Sequence, residues 1–405
     1  MISHPLSGPA AVPYDASKGT SLTHLAFFMH GFEMGGAQRS TLMICNALAV
    51  RGLKVDLLVV SGEGPLRPEL DQAVTVHEVG SAWGRLPLLR KKRWWRVRMA
   101  TFGLVRYLRR ERPEVLVSSA NHSALVTAAA HRWAAVPETA LVLRVTNPVR
   151  GGKRGLKHVF KRAALSRDLL QVDAVATLAP RLSEEIIALT PSVADRVAVM
   201  PNAVVDVARI EASRALPPPW PLDGRKTVLA VARFAPQKDL ATLLRAFALL
   251  PTRCGAKLVI YGDGPLRAEL EALGARLGLQ DRLSMPGLIA NPFAAMHHAD
   301  VFVLSSRWEG LPGTLLEAMA CGCPVVSTDC PAGSREILLD GALGPLPPVG
   351  DPPALAQAIT QLLEQPSDRA ALMARAQGYT AEASSAVLLQ ICEGAARRAR
   401  LRLVA

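Results

Sequence analysis

Short, uninterrupted apolar runs recur down this chain, each followed by a longer stretch of helical period. HLAFFMHG (24–31), KVDLLVV (54–60), VLVSS (115–119), ALVLRV (140–145), DAVATL (173–178) and VAVM (197–200) come first, with helical patterns at 37–50, 94–111, 122–135, 153–170 and 180–189. Strands that are apolar throughout and alternate with helices belong to parallel sheets covered on both faces. The alternation stops at ARIEASRALPPPWPLDGRK (208–226), proline-rich and without clear period, which reads as a linker. It resumes with TVLAVAR, KDLATLLRAFALL, KLVIYGDG, PLRAELEALGARL and VFVLSS. A chain of 405 residues exceeds one ordinary core. The sequence therefore predicts an α/β protein with two doubly wound domains, 22–207 and 227–380, facing across a cleft. The helical tail from about 380 to 405 is a candidate to cross back onto the first.

Composition narrows the class. Residues 1–21 lack the basic start and apolar core of a signal peptide and read as a disordered leader. No apolar run is long enough to span a membrane. The six cysteines are scattered, and no Cys/His spacing suits a metal, so reduced thiols and no metal site are expected. The net charge of +13 sits almost wholly in the first half, where 27 Lys and Arg face 15 Asp and Glu over residues 1–205. One half is built to face something anionic.

Three glycine or cation loops could hold phosphate. In VARFAPQKDLATLL (231–244), Arg233 and Lys238 bracket a strand-to-helix loop, where guanidinium, ammonium and helix amides all favour oxyanions. Two solvated loop charges are the plain alternative. YGDGP (261–265) ends a strand on Gly262 and Gly264, a common kind of turn. WEGLPGTLLEAMACGCPVV (308–326) reads as turn, helix and strand. Gly310 and Gly313 would admit a ligand to the backbone, and Glu309 and Glu317 would accept hydrogen bonds from sugar hydroxyls and a ribose diol. Glu317 could instead only compensate the helix terminus. Together these features describe a sugar-nucleotide pocket.

Those residues resemble the retaining GT-B glycosyltransferases of the bacterial "group one" family (glycosyl transferases family four). The resemblance runs from about 24 to 380 and is strongest at 227–337, through Glu309-GLPGTLL-Glu317, Arg233 with Lys238, and ACGCPVVSTDCPAGSREIL (320–338). It implies two Rossmann-like domains, acceptor-side first and nucleotide-sugar-binding second. It implies that Arg233 and Lys238 bind the donor diphosphate, that Glu317 binds the ribose and that Glu309 contacts the transferred sugar. Main chain around Gly313, Thr314 and Leu315 would touch phosphate, main chain near Gly287 and Leu288 would face the base, and Gly262, Gly310 and Leu311 would complete the donor pocket. GFEMGGAQR (31–39) is similar to the family's glycine loop, placing Gly35 and Gly36 near donor phosphates or acceptor, and His122 matches a histidine pointing at the donor sugar; it could equally be a structural cap. Departures are Gln38 for Glu, Ala203 for Gly and Leu178 for a small hydroxyl residue. The family needs neither cofactor nor divalent metal, and its donors are UDP-sugars ahead of GDP-sugars.

The basic half offers a partner. RLPLLRKKRWWRVR (85–98) interleaves Arg90, Lys91, Lys92, Arg93 and Arg96 with Trp94 and Trp95, the composition of a segment lying in an anionic membrane interface. A solvated helix face is the plain alternative; a nucleic-acid surface would bring a fold motif that is absent. The expectation is a peripheral transferase on the inner face of the cytoplasmic membrane, building lipid-linked sugars, lipopolysaccharide or exopolysaccharide. The rival readings are a sugar-nucleotide epimerase and a catalytically silent relative serving as a membrane-associated binding or scaffold subunit.

Overall fold

The structure is a computed structural model that describes residues 20–33, 35–80, 93–121, 123–146, 165–331, 333–365 and 367–404. His122, Arg90, Lys91, Lys92, most of the expected leader and most of the expected helix at 153–170 lie outside the described residues, as do the side chains of Arg93, Trp94, Trp95 and Arg96. The chain divides into two units, Met1–Ala203 with Ala381–Ala405, and Val204–Thr380.

In the first unit β1 (His24–Gly31), β2 (Lys54–Ser61), β3 (Thr75–Glu78), β4 (Val115–Ser118), β5 (Ala140–Val145), β6 (Ala174–Thr177) and β7 (Val197–Val199) form a parallel sheet in the order β3-β2-β1-β4-β5-β6-β7. Alternate residues feed two cores. Phe27, Leu57, Val117 and Val142 pack with Leu42 and Ile44 of the helix Gly36–Val50 and with Leu388 and Cys392 of the last helix, Ala381–Val404. Phe28, Leu58, Leu116 and Leu141 pack with Leu104 and Leu108 of Arg93–Glu111 and with Val126 and Ala130 of Ala124–Ala134. Both faces are covered, which is why these strands carry no polar alternation.

The second unit repeats the plan with β8 (Lys226–Val231), β9 (Ala256–Tyr261), β10 (Leu283–Gly287), β11 (Val301–Leu304) and β12 (Val325–Ser327), parallel in the order β10-β9-β8-β11-β12. Residues 208–226 lie inside this unit. They begin in a helix, Val207–Ser213, whose Ile210 joins the core, and His298 Nε2 meets Leu216 O at 2.8 Å. The prolines break the helical period after one short element, so the packing is not visible as a pattern.

Strand order reverses between β1 and β4 in one sheet and between β8 and β11 in the other. Ligands of doubly wound sheets bind outside the carboxyl ends of the strands at such reversals.

Candidate functional site

At the second reversal, the loops after β8 and β11 bring Lys238 and Glu309 together. Lys238 Nζ donates to Glu309 Oε1 at 2.6 Å, Ser306 Oγ donates to the same oxygen at 2.6 Å, and Gln237 Nε2 reaches Glu309 Oε2 at 3.4 Å. Glu309 is 7% exposed, so this carboxylate is held by a cation and two neutral donors in a largely dry setting. The backbones are zipped as well. Arg307 N donates to Gln237 O (2.8 Å), Ser305 Oγ to Lys238 O (2.8 Å) and Gln237 Nε2 to Trp308 O (2.9 Å). Asp239 turns the β8 loop into the helix Leu240–Ala248 with φ +44°, left-handed backbone that Asp tolerates better than most residues. Its buried carboxylate takes both Arg307 Nε (3.0 Å) and Nη2 (3.2 Å), and this hydrogen-bonded anion raises the Arg307 pKa. Arg233 is exposed on the same loop.

The helix Gly313–Ala320 starts beside this pair without a side-chain cap and without an acid in its first turn. Leu315 N and Leu316 N donate to Pro312 O, so Gly313 and Thr314 carry the amides without an intrahelical acceptor. Leu315 itself is buried in the core, and any ligand contact there is through main chain. Leu311 and Glu317 are half-buried on either side of the helix start. Gly310 is held from behind by Gly333, at φ +88°, where an added Cβ would meet Gly310 O at 3.0 Å and Pro312 Cδ at 2.7 Å. Gly287 ends β10, and Leu288 stands 82% exposed next to it, while Gly287 O accepts from Gly262 N at 2.8 Å.

Thus Arg233, Lys238, Gly262, Gly287, Leu288, Glu309, Gly310, Leu311, Gly313, Thr314, Leu315 and Glu317 all lie at or just beyond the carboxyl edge of one sheet. Ser306, Gln237, Asp239, Arg307 and Gly333 support that edge without having been singled out in the sequence. A Ser-Ser pair ending an apolar strand, and an Asp directly before a helix, were the available signals.

The first reversal carries Gly35 and Gly36. Gly35 opens the helix Gly36–Val50 in extended backbone (φ −175°), and a Cβ on Gly36 would meet nothing within 4 Å. Space, not strain, is what Gly36 provides. Across the sheet, Arg144 of β5 is 1% exposed and bonds only neutral oxygens: Thr41 Oγ1 at 3.2 Å, Ser40 Oγ at 3.1 Å and Asn202 Oδ1 at 3.1 Å. Burial pushes its pKa down to about 10. It ties the glycine-loop helix to the MPNAVV stretch (200–205), in which Ala203 is core. Leu178, too, is core. Beside the position of His122, Asn121 Oδ1 accepts from Thr146 N at 2.7 Å and Ser123 Oγ lies 2.8 Å from Ser118 Oγ. Among the described residues no group of His, Cys, Asp and Glu could hold a metal ion, and the six cysteines are buried and unpaired.

The fold has solved counterparts. A crystal structure of Anabaena Alr3699/HepE in complex with UDP superposes with a TM-score of 0.68 at 18% identity, over 94% of this chain and 100% of that one. The sequence profile described as Glycosyl transferases group 1 matches residues 225–365, and the one described as Glycosyl transferase 4-like domain matches 35–203. This chain belongs to the GT-B glycosyltransferases of the GT4 type. Within that family, the lipopolysaccharide core biosynthesis glycosyltransferase LpsE of Rhizobium meliloti is 28% identical over 362 residues, 85% of this chain and 91% of LpsE. The N-acetylgalactosamine-N,N'-diacetylbacillosaminyl-diphospho-undecaprenol 4-alpha-N-acetylgalactosaminyltransferase of Campylobacter jejuni is 36% identical over 152 residues, 38% of this chain and 41% of that protein. Against the first curated relatives the chain matches, the Campylobacter protein among them, the match spans less than two thirds of their length, from 27% to 60%. The two profiles fall one on each reversal, so each half of this GT-B chain carries its own part of the family's signature.

Proposed function

We propose that this GT-B protein moves a sugar from a nucleoside-diphosphate sugar, UDP ahead of GDP, onto a lipid-linked, lipopolysaccharide or exopolysaccharide acceptor. The reaction retains the anomeric configuration and uses no metal ion, and the enzyme works as a peripheral protein on the inner face of the cytoplasmic membrane. The observation that carries this reading is the Lys238–Glu309 pair, 2.6 Å apart, beside the uncapped start of the helix Gly313–Ala320.

The chemistry follows from those groups. A diphosphate leaving group develops charge as the glycosidic bond breaks. The Lys238 ammonium keeps two N–H donors beyond the one given to Glu309, Arg233 is exposed and close in sequence, and the Gly313 and Thr314 amides point out of a helix start. Such pre-positioned donors stabilise developing anionic charge without reorganising. Glu309 and Glu317 accept hydroxyls rather than phosphate, and Glu309, neutralised by Lys238, does not repel the diphosphate. Support for the donor class comes from the neighbour solved with UDP, and for the acceptor class from the names of the Rhizobium and Campylobacter relatives.

The test is transfer from UDP-sugars and GDP-sugars to lipid-linked acceptors, read by proton NMR of the new anomeric centre. The expected product keeps the donor's α or β configuration, and turnover is unchanged by EDTA. An inverted product, or loss of turnover in chelator that divalent cations restore, would contradict the retaining, metal-free reading.

A further inference from the structure

The first unit exposes a face that the two reversals leave unexplained. Phe102 and Trp133, on the helices Arg93–Glu111 and Ala124–Ala134, are 62% and 52% exposed, with ring centroids 6.0 Å apart. Arg109 fixes the end of the second helix, its Nε and Nη2 donating to Ala134 O (3.2 Å) and Trp133 O (2.8 Å). Immediately before Trp133, Arg132 lines a cavity of about 750 Å³.

That cavity lies at the amino edge of β5, β6 and β7, away from the glycine loop. Four guanidiniums line it, each held by a hydrogen bond. Arg132 donates to Gln171 Oε1 (3.0 Å), Arg196 to Val172 O (3.2 Å), Arg398 to Asp195 O (3.2 Å) and Arg402 to the buried Asp173. Among the described residues Asp173 and Asp195 are the two carboxylates in the lining, so the described wall is net cationic. Leu170 and Leu401, 53% and 69% exposed, form its apolar lip. The helix Ala381–Val404 then ends in Leu401, Leu403 and Val404, all more than half exposed, interleaved with Arg400 and Arg402.

A solvated surface has little reason to hold a Trp, a Phe and several aliphatic residues open among arginines. The combination suits a boundary that is anionic at its surface and apolar beneath, where arginine heads meet phosphate and rings and aliphatic tips enter the acyl edge. We propose that this face docks on an anionic phospholipid bilayer, with a headgroup phosphate in the arginine cavity and Phe102, Trp133, Leu170 and Leu401 in the interface. It rests on the peripheral-membrane reading above but needs none of residues 85–98.

The test is cosedimentation of the full chain with vesicles of phosphatidylglycerol and phosphatidylcholine, and with phosphatidylcholine alone. Wild-type protein is expected to bind the mixed vesicles only. Arg132→Gln with Arg398→Gln should weaken that binding about tenfold or more, since each cation lost near an anionic bilayer costs about fivefold. Trp133→Ala with Leu401→Gln should weaken it separately, with melting temperature and UDP titration unchanged in both variants. A comparison variant, Arg90→Gln with Lys91→Gln and Lys92→Gln, separates the basic segment from this face. If the four changes on this face leave binding at the wild-type level and the comparison variant abolishes it, the face is wrong and the membrane reading stands. If wild-type protein ignores anionic vesicles, both fall while the donor pocket remains.

Discussion

Lys238→Ala is expected to lower turnover by about 10²–10³-fold, the usual loss when one pre-positioned donor to a developing anion is removed. The ammonium is already in place, 2.6 Å from Glu309 Oε1, with a side chain only 20% exposed. On the proposed reading, no reorganisation is needed when a diphosphate arrives. The substitution also leaves the nearly buried Glu309 with Ser306 and Gln237 alone. Stripping the cation from a buried, hydrogen-bonded carboxylate destabilises a fold by about 2–4 kcal/mol. Turnover, nucleotide affinity and thermal unfolding must therefore be read together. Catalytic loss well beyond any loss of folded protein at assay temperature supports the leaving-group role. A lowered melting temperature with turnover per folded molecule intact would make the pair a structural clamp only.

The second large effect is expected at Gly262, through the backbone. Gly262 has φ +143°, and an added Cβ would lie 1.8 Å from Ala232 O and 3.2 Å from the Phe234 ring. The carbonyl cannot retreat, because the same segments are stitched by Ala232 N to Tyr261 O (3.0 Å) and Phe234 N to Asp263 O (2.8 Å). Gly262→Val should cost about 3 kcal/mol or more, combining overpacking with a backbone region hostile to branched residues. It should also displace the Arg233 loop, so donor binding should fall with it. Denaturant unfolding with UDP titration measures both. Stability within about 0.5 kcal/mol of wild type would show that the close approach is not required. Gly36→Ala is the counterpart, since it meets nothing within 4 Å and should leave stability nearly unchanged.

What could be read from the sequence follows from burial. The strands of both sheets that lie between covered faces stood out as apolar runs. The two that did not, Thr75–Glu78 and Leu283–Gly287, are sheet edges with half-exposed residues and no unbroken apolar stretch. The helix Val207–Ser213 was hidden by the prolines after it, although Asp206 caps it by accepting from Arg209 N at 3.1 Å, a signal that could have been used. Arg233, Lys238, Glu309 and Glu317 stood out as candidates because each sits at a strand end or helix start, in two short motifs at 231–244 and 308–326. Gln237 did not, because it meets Glu309 from a loop about seventy residues away, and Ser306 did not, because a serine three residues before a glutamate marks no contact until the loop has folded. Arg144 looks like an interruption in an apolar strand, and only its partners at 40, 41 and 202 make sense of it.

The most direct measurement is calorimetric titration of the full chain with UDP and with GDP, without added metal, repeated on Glu317→Ala. The account predicts micromolar binding of one nucleotide, UDP before GDP, weakened at least about tenfold by removal of a ribose contact worth about 1.4 kcal/mol. A folded protein that binds neither nucleotide would contradict it and leave a glycosyltransferase fold without a donor.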